Sequence, residues 1–256
     1  MNPWTLAYHS GMSAKSDLRA AVDVGVPVGV VATLLDVNKT ILVLPRHLDR
    51  GGSVFIDSGA FTAFQKGEPV DWPKVFRAYE SVITMTDRPE GLSIVAPDVI
   101  GDQVKTLALW EEHAKRVFSW IDAGARVIVP LQCGQLTAGE MLAEAKRIFG
   151  TGKLCAGIPS NLAAMPAEDC ATLRHDDFHI LGRVVMTEEL QQKLAALREN
   201  NSEANFTADA NWLRSRTHKI SRAVEPRLPN PIGFPQDSPR TLAVKKILIS
   251  EAYQYG

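Results

Sequence analysis

The chain has 256 residues, 45% of them hydrophobic and 22% charged, with a formal charge of −1. That length suffices for a sizeable core, and the hydrophobic share excludes a disordered chain. No apolar run approaches the ~18 residues of a membrane-spanning helix, and MNPWTLAYHS lacks the basic and apolar regions of a secretory signal.

Short β-branched runs alternate with amphipathic stretches along the chain. The pattern predicts strands at Thr5–Tyr8, Val26–Ala32, Val54–Asp57, Ser93–Pro97, Arg126–Leu131, Lys153–Gly157, Phe178–Leu181 and Asn205–Asp209. It predicts helices at Ala14–Val24, Trp72–Thr84, Gln103–Asp122, Ala138–Phe149, Pro166–Leu173 and Glu188–Arg198, with Asp102 as a cap and Pro166 in a first turn. Ile41–Leu44 reads as an extra strand in an irregular second unit. Strand–helix alternation over roughly 250 residues predicts a (β/α)₈ TIM barrel, with a doubly wound sheet as the competitor. The barrel domain is expected over residues 1–224. Residues 225–256 then form a Pro-rich, basic C-terminal extension, Glu225–Pro239 with five prolines, and a terminal helix at Arg240–Tyr253 packed on the barrel.

Catalytic groups of a parallel barrel sit just after the strands. Those positions carry Asp57 and Ser58, Asp98, Gln132 and Cys133, Gly157 through Ser160, Gly182 and Asp209. One strand-end Asp is as readily a turn or helix cap. Three, each ending an apolar run, exceed what capping needs, and paired carboxylates suit displacement at an anomeric carbon. The six histidines are scattered without HxH or HExxH spacing, and His179, inside an apolar strand, reads as a core histidine. Cys133, Cys155 and Cys170 are an odd, widely spaced set that fits a reducing cytoplasm and cannot form a four-cysteine zinc site. An oxygen-only Mg²⁺ site from Asp57, Asp98 and Asp209 stays open at this level.

The ordered fragments VFIDSGAF, APD, VPLQCG, CAGIPS, FHILG and TADANWLRSR, from about Gly51 to Thr217, resemble the tRNA-guanine transglycosylases. These are (β/α)₈ barrels that exchange guanine for a 7-deazaguanine. DSGAF is the most specific fragment. The resemblance implies Asp209 as the nucleophile and Asp57 as general acid/base. It implies that Asp98 and Gln132 hold the polar edge of the base, with Gly157 and Ile158 presenting backbone groups and Ser58 assisting. Phe61 is placed to stack on the base, although an aromatic just after a strand is more often core. No cofactor and no metal are implied.

The tRNA-acting enzymes of that family carry a zinc site of three Cys and one His near the C-terminus, and this chain has no cysteine after Cys170. The wording PDVIGD, IPSN and LGR is closer to the DpdA-like DNA 7-deazaguanine transglycosylases of phages and bacteria. The expected partners are therefore DNA, with its target guanine flipped or single-stranded, and a free 7-deazaguanine base such as preQ0. RNA exchange, N-glycoside hydrolysis and non-catalytic nucleic-acid binding are the alternatives.

The charge distribution bears on this choice. Arg214 through Lys246 holds eight Lys/Arg against Glu225 and Asp237, a net +6 that leaves −7 elsewhere. A basic segment is commonly a solvated face. Arg214, Arg216, Lys219 and Arg222, directly after the expected nucleophile, are placed to hold phosphates.

Overall fold

The computed structural model describes residues 4–36, 41–161, 164–182, 186–210 and 237–255. Eight parallel strands close into one barrel in sequence order. They are β1 (Leu6–His9), β2 (Val28–Val31), β3 (Val54–Asp57), β4 (Leu92–Val95), β5 (Arg126–Pro130), β6 (Cys155–Pro159), β7 (Asp177–Leu181) and β8 (Asn205–Ala210). Closure is made where β1 pairs with β8, setting Tyr8 opposite Asp209. The connecting helices are α1 (Lys15–Val24), α2 (Val43–Asp49), α3 (Ala60–Lys66), α4 (Trp72–Met85), α5 (Gln103–Asp122), α6 (Ala138–Phe149), α7 (Ala167–Cys170) and α8 (Glu188–Asn200). The (β/α)₈ TIM barrel is thus the architecture, and the doubly wound sheet is excluded by the closure. Among the described residues, no helix is long and apolar enough to cross a membrane.

The two-residue period of the strands separates two cores. Outward residues such as Val54, Ile56, Val127, Val129, Ala156, Ile158, Phe178 and Ile180 join the helices in the main hydrophobic layer. Inward residues Tyr8, Phe55, Val95, Ile128 and Cys155 fill the barrel. Asp57 follows Phe55 by two, and Asp209 lies in register with Tyr8, so both acids point inward at the C-terminal end.

Caps fix several helices. Asp102 accepts from the Lys105 N–H, as its sequence position predicts, and Thr137 with Glu140 forms a full capping box on α6.

Most strand and helix ends shift by one or two residues, α3 is not among the expected helices, and three further differences have a clear physical reason. Ile41–Leu44 is not a strand. Leu44 N–H bonds to Ile41 O as the chain turns into α2, where Pro45 costs no hydrogen bond in the first turn. A four-residue apolar run cannot by itself separate a strand from a buried helix start. The expected strand Lys153–Gly157 is shifted to Cys155–Pro159. Leu131 N–H bonds to Gly157 O and Ser160 N–H to Leu181 O, so pairing bridges the proline without needing an N–H from it. The helix expected at Pro166–Leu173 shortens to four residues, with Pro166 as its cap.

The C-terminal helix α9 (Pro239–Tyr255) packs against α1, burying Val244, Ile247 and Leu248 in the main layer. The preceding proline-rich stretch 225–236 lies outside the described residues.

Candidate active site

The inward strand ends and the loops after them make the mouth. Asp57 closes β3, and its Oδ1 accepts the Gly59 N–H at 3.1 Å. Burial raises this carboxyl above the usual range, against the donors at Gly59 and Ser58. Ser58 is buried, and its hydroxyl accepts the Ala60 N–H at 3.2 Å at the start of α3. Asp98, 4% exposed, accepts from Gln132 Nε2 at 2.8 Å, while Gln132 Oε1 accepts the Gly101 N–H at 2.8 Å. The glutamine thereby joins the loops after β4 and β5. Burial first, and the charge of Asp57 second, push the Asp98 carboxyl up to about 7 despite the Gln132 bond. Asp209 Oδ1 accepts the Gly182 N–H at 3.2 Å. Gly182 has φ +95°, a left-handed conformation that glycine adopts at little cost and that other residues rarely take. Burial, and then Asp57, raise Asp209 well above the ordinary value, opposed by the N–H groups of Asp209 and Gly182 and by the Ser10 hydroxyl.

Asp57 therefore acts electrically on both other acids, and the three form one coupled set whose members are all raised. No three His, Cys, Asp or Glu side chains among the described residues are grouped to hold a metal ion, so the Mg²⁺ arrangement of Asp57, Asp98 and Asp209 has no support in their geometry.

The other expected residues fall differently. Phe61 lies in the first turn of α3, 57% exposed, so it is a surface aromatic rather than core; Phe64, also exposed, lies one turn on. Ile158 sends its side chain to the helix layer, leaving only its backbone toward the barrel. At Gly157 an added Cβ would come within 2.9 Å of Ile128 and Leu181 methyls, and its carbonyl already accepts from Leu131. That glycine is required by packing between strands. Arg214, Arg216, Lys219 and Arg222 lie outside the described residues. Of the rest of the basic segment, Arg240 forms a two-pronged ion pair with Asp17, both contacts at 2.6 Å, and Lys245 bridges Asp23 and Asp237.

Several residues that hold the site have no local sequence signal. Gln103, buried at the start of α5, donates to the carbonyls of Gln132 and Leu136 and accepts the Leu136 N–H. Trp110 Nε1 donates to Pro97 O, fixing the approach to Asp98. Lys193, buried on α8, donates to Pro159 O and Asn161 O at the end of β6. Tyr79 on α4 is fully buried, and the charges of Asp57 and Asp98 both bear on its phenol. A groove beside Asp98, lined by Ala60, Phe64, Val70, Ile100 and Leu109, opens next to the mouth.

No protein-family model and no curated protein matches the chain. Among solved structures it is similar to a xylose isomerase-like TIM barrel/4-hydroxyphenylpyruvate dioxygenase fusion protein, with TM-score 0.47 and 10% identity over 96% of this chain and 42% of that one. The chain thus spans less than half the length of that fusion protein. It is also similar to D-allulose 3-epimerase from Methylomonas sp., with TM-score 0.46 and 12% identity over 97% of each chain. A structure described as native KDPGal has the same TM-score and identity, over 97% of this chain and 95% of that one. At this level of identity the likeness is one of barrel architecture alone.

Proposed function

We propose that the chain is a base-exchange transglycosylase that replaces guanine in DNA with a free 7-deazaguanine base of the preQ0 kind. The observation that carries the reading is the inward pair Asp57 and Asp209 at two strand ends, coupled to Asp98 and its Gln132 partner in the same mouth. This is the residue set that the transglycosylase resemblance requires.

In the proposed reaction, Asp209 attacks C1′ of the target guanosine. A C1′–O bond forms as C1′–N9 breaks, and the bonding pair leaves on the base, which takes a proton from Asp57. Asp57, now a carboxylate, removes the N9 proton of the incoming base. That nitrogen displaces Asp209 from C1′, and the two inversions retain configuration. The raised Asp57 suits this exchange, because a carboxyl at its ordinary value is a poor acid at neutral pH. Asp209 is raised as well, so attack starts from the state in which Asp57 holds the proton and Asp209 is the carboxylate. Asp98 and Gln132 offer an acceptor and an amide to the edge of a purine.

The test is covalent capture. Wild-type protein with guanine-containing single-stranded DNA and labelled preQ0 is expected to give a protein–DNA adduct and labelled DNA. Asp209→Asn loses both, and Asp57→Asn slows them by at least about 100-fold. Label in RNA instead of DNA would move the substrate to tRNA. Release of guanine without uptake of label would make the chain a hydrolase. Full exchange by Asp209→Asn would remove the nucleophile assignment.

A further inference from the structure

The barrel interior below Asp209 is polar in a way the exchange reaction does not by itself explain. Arg126, the first residue of β5, makes a two-pronged ion pair with Asp177 of β7, with Nε and Nη2 each at 2.7 Å from a carboxylate oxygen. Its Nη2 also donates to Thr207 Oγ1 at 3.0 Å. Thr207 Oγ1 lies 2.8 Å from His179 Nδ1 and 3.3 Å from Phe178 O. His179 is completely buried, packed against Phe55 with ring centroids 4.9 Å apart. Its Nε2 has no hydrogen-bond partner and faces Asp209 Oδ1 at 3.9 Å.

Proton accounting selects one arrangement. The Thr207 hydroxyl has one proton and accepts from Arg126. If that proton goes to His179 Nδ1, the shorter of its two contacts, the ring carries its hydrogen on Nε2 and presents it to Asp209. In the opposite tautomer, Nδ1–H donates to Thr207 and an Nε2 lone pair faces a carboxylate oxygen inside the barrel. The 3.3 Å contact from Thr207 Oγ1 to Phe178 O is the longer of the two and is the one given up in this arrangement.

The geometry points to His179 as a positioning residue for Asp209. A relay from Arg126 through Thr207 fixes it as the neutral Nε2–H tautomer, and that hydrogen steadies the Asp209 carboxylate. Burial, reinforced by the charge of Arg126, keeps the ring uncharged, so it acts as an oriented dipole. At 3.9 Å this dipole adds to the Gly182 N–H and opposes the burial that raises the Asp209 carboxyl. The catalytic consequence rests on the reading of Asp209 as nucleophile; the tautomer does not.

Two measurements test this on the full chain. Two-bond ¹H–¹⁵N correlation of the imidazoles, with His179 assigned by its loss in His179→Gln, is expected to show the Nε2–H form in wild type and a shift toward Nδ1–H in Thr207→Val. In the exchange assay, His179→Phe is expected to lower kcat by roughly 100-fold with KM nearly unchanged, the scale of removing a dipole from the charge that returns to Asp209 as the incoming base displaces it. His179→Gln, whose amide nitrogen falls near the Nε2 position, is expected to recover at least about tenfold of that loss. An Nδ1–H tautomer in wild type overturns the relay, whatever the variants do. So does an unchanged kcat in a folded His179→Phe protein. If wild type shows the Nε2–H form but gives no adduct with DNA and preQ0, the relay stands and the transglycosylase reading falls.

Discussion

At the mouth, Asp57, Asp98 and Asp209 share one electrostatic fate: Asp98 is buried, the other two are half-buried, desolvation raises all three, and Asp57 raises both of the others. The folded chain therefore retains protons that the unfolded chain has released, and the consequence for stability has a definite sign. For Asp98 the folded value is about 7 against an ordinary 3.8. Its contribution is fully present below pH 4 and is lost as pH rises toward and through 7, because the folded state binds more protons across that window. His9, His47 and His179 act oppositely: desolvation lowers their values, which costs stability as pH falls below the ordinary 6.5. A comparison with Asp98→Asn, which keeps an acceptor for Gln132, cancels the histidines. Between pH 5 and 7 the wild type is expected to lose stability relative to the variant, with a slope of at most about 1.4 kcal/mol per pH unit for one proton. Urea denaturation across that range checks this, and parallel pH profiles would show that Asp98 titrates normally.

The elements carry the site through contacts between units distant in sequence. Lys193 on α8 reaches under the end of β6 to hold Pro159 O and Asn161 O at 2.7 and 2.8 Å. Lys193→Met keeps the buried stem but leaves both carbonyls without their charged donor. It is expected to cost about 2–3 kcal/mol in chemical denaturation, and a loss under 0.5 kcal/mol would show that other donors replace it. Such contacts mark the limit of what the sequence reveals. Asp57, Asp98 and Asp209 are legible because each follows a β-branched run, and a parallel barrel brings strand ends to one rim. Lys193 and Gln103 are not, because each lies in an ordinary helical pattern and meets its partner 30 or so residues away. His179 is legible as buried, yet only the structure shows that one of its nitrogens is satisfied and the other bare. The helix α3 escapes the sequence reading because DSGAFTAFQK has a glycine at its entry and two exposed phenylalanines on seven residues. The shift of β6 has a similar origin, since Gly157 and Pro159 read as breakers while the ladder uses neither a glycine side chain nor the missing proline N–H.

For the whole molecule, the question is how a chain of charge −1 meets a polyanion. The basic segment is not uniformly available. Arg240 is committed to Asp17, whose side chain is only 6% exposed, and Lys245 to Asp23 and Asp237. Arg19 also pairs with Asp237 at 3.0 Å. These charges fasten α9 to α1, and Val244, Ile247 and Leu248 complete the seam. Arg240→Met would strand the buried Asp17 carboxylate. Discounted for the one-third exposure of the arginine, the expected cost is about 2 kcal/mol. Asp17→Asn in the same chain should return part of that loss, because the unpaired charge is then gone. Neither change should alter how DNA affinity depends on salt, since Arg240 has no charge to spare for phosphate. Replacing Arg214, Arg216, Lys219 and Arg222 by Gln is expected to do so, lowering the slope of log K against log salt by roughly 3, as four phosphate contacts on a single strand require. Fluorescence anisotropy with a labelled oligonucleotide from low to moderate salt reads both effects. A slope unchanged by the four-residue variant would remove the phosphate role from those cations, and a slope changed by Arg240→Met would mean that α9 lets go of α1 to bind.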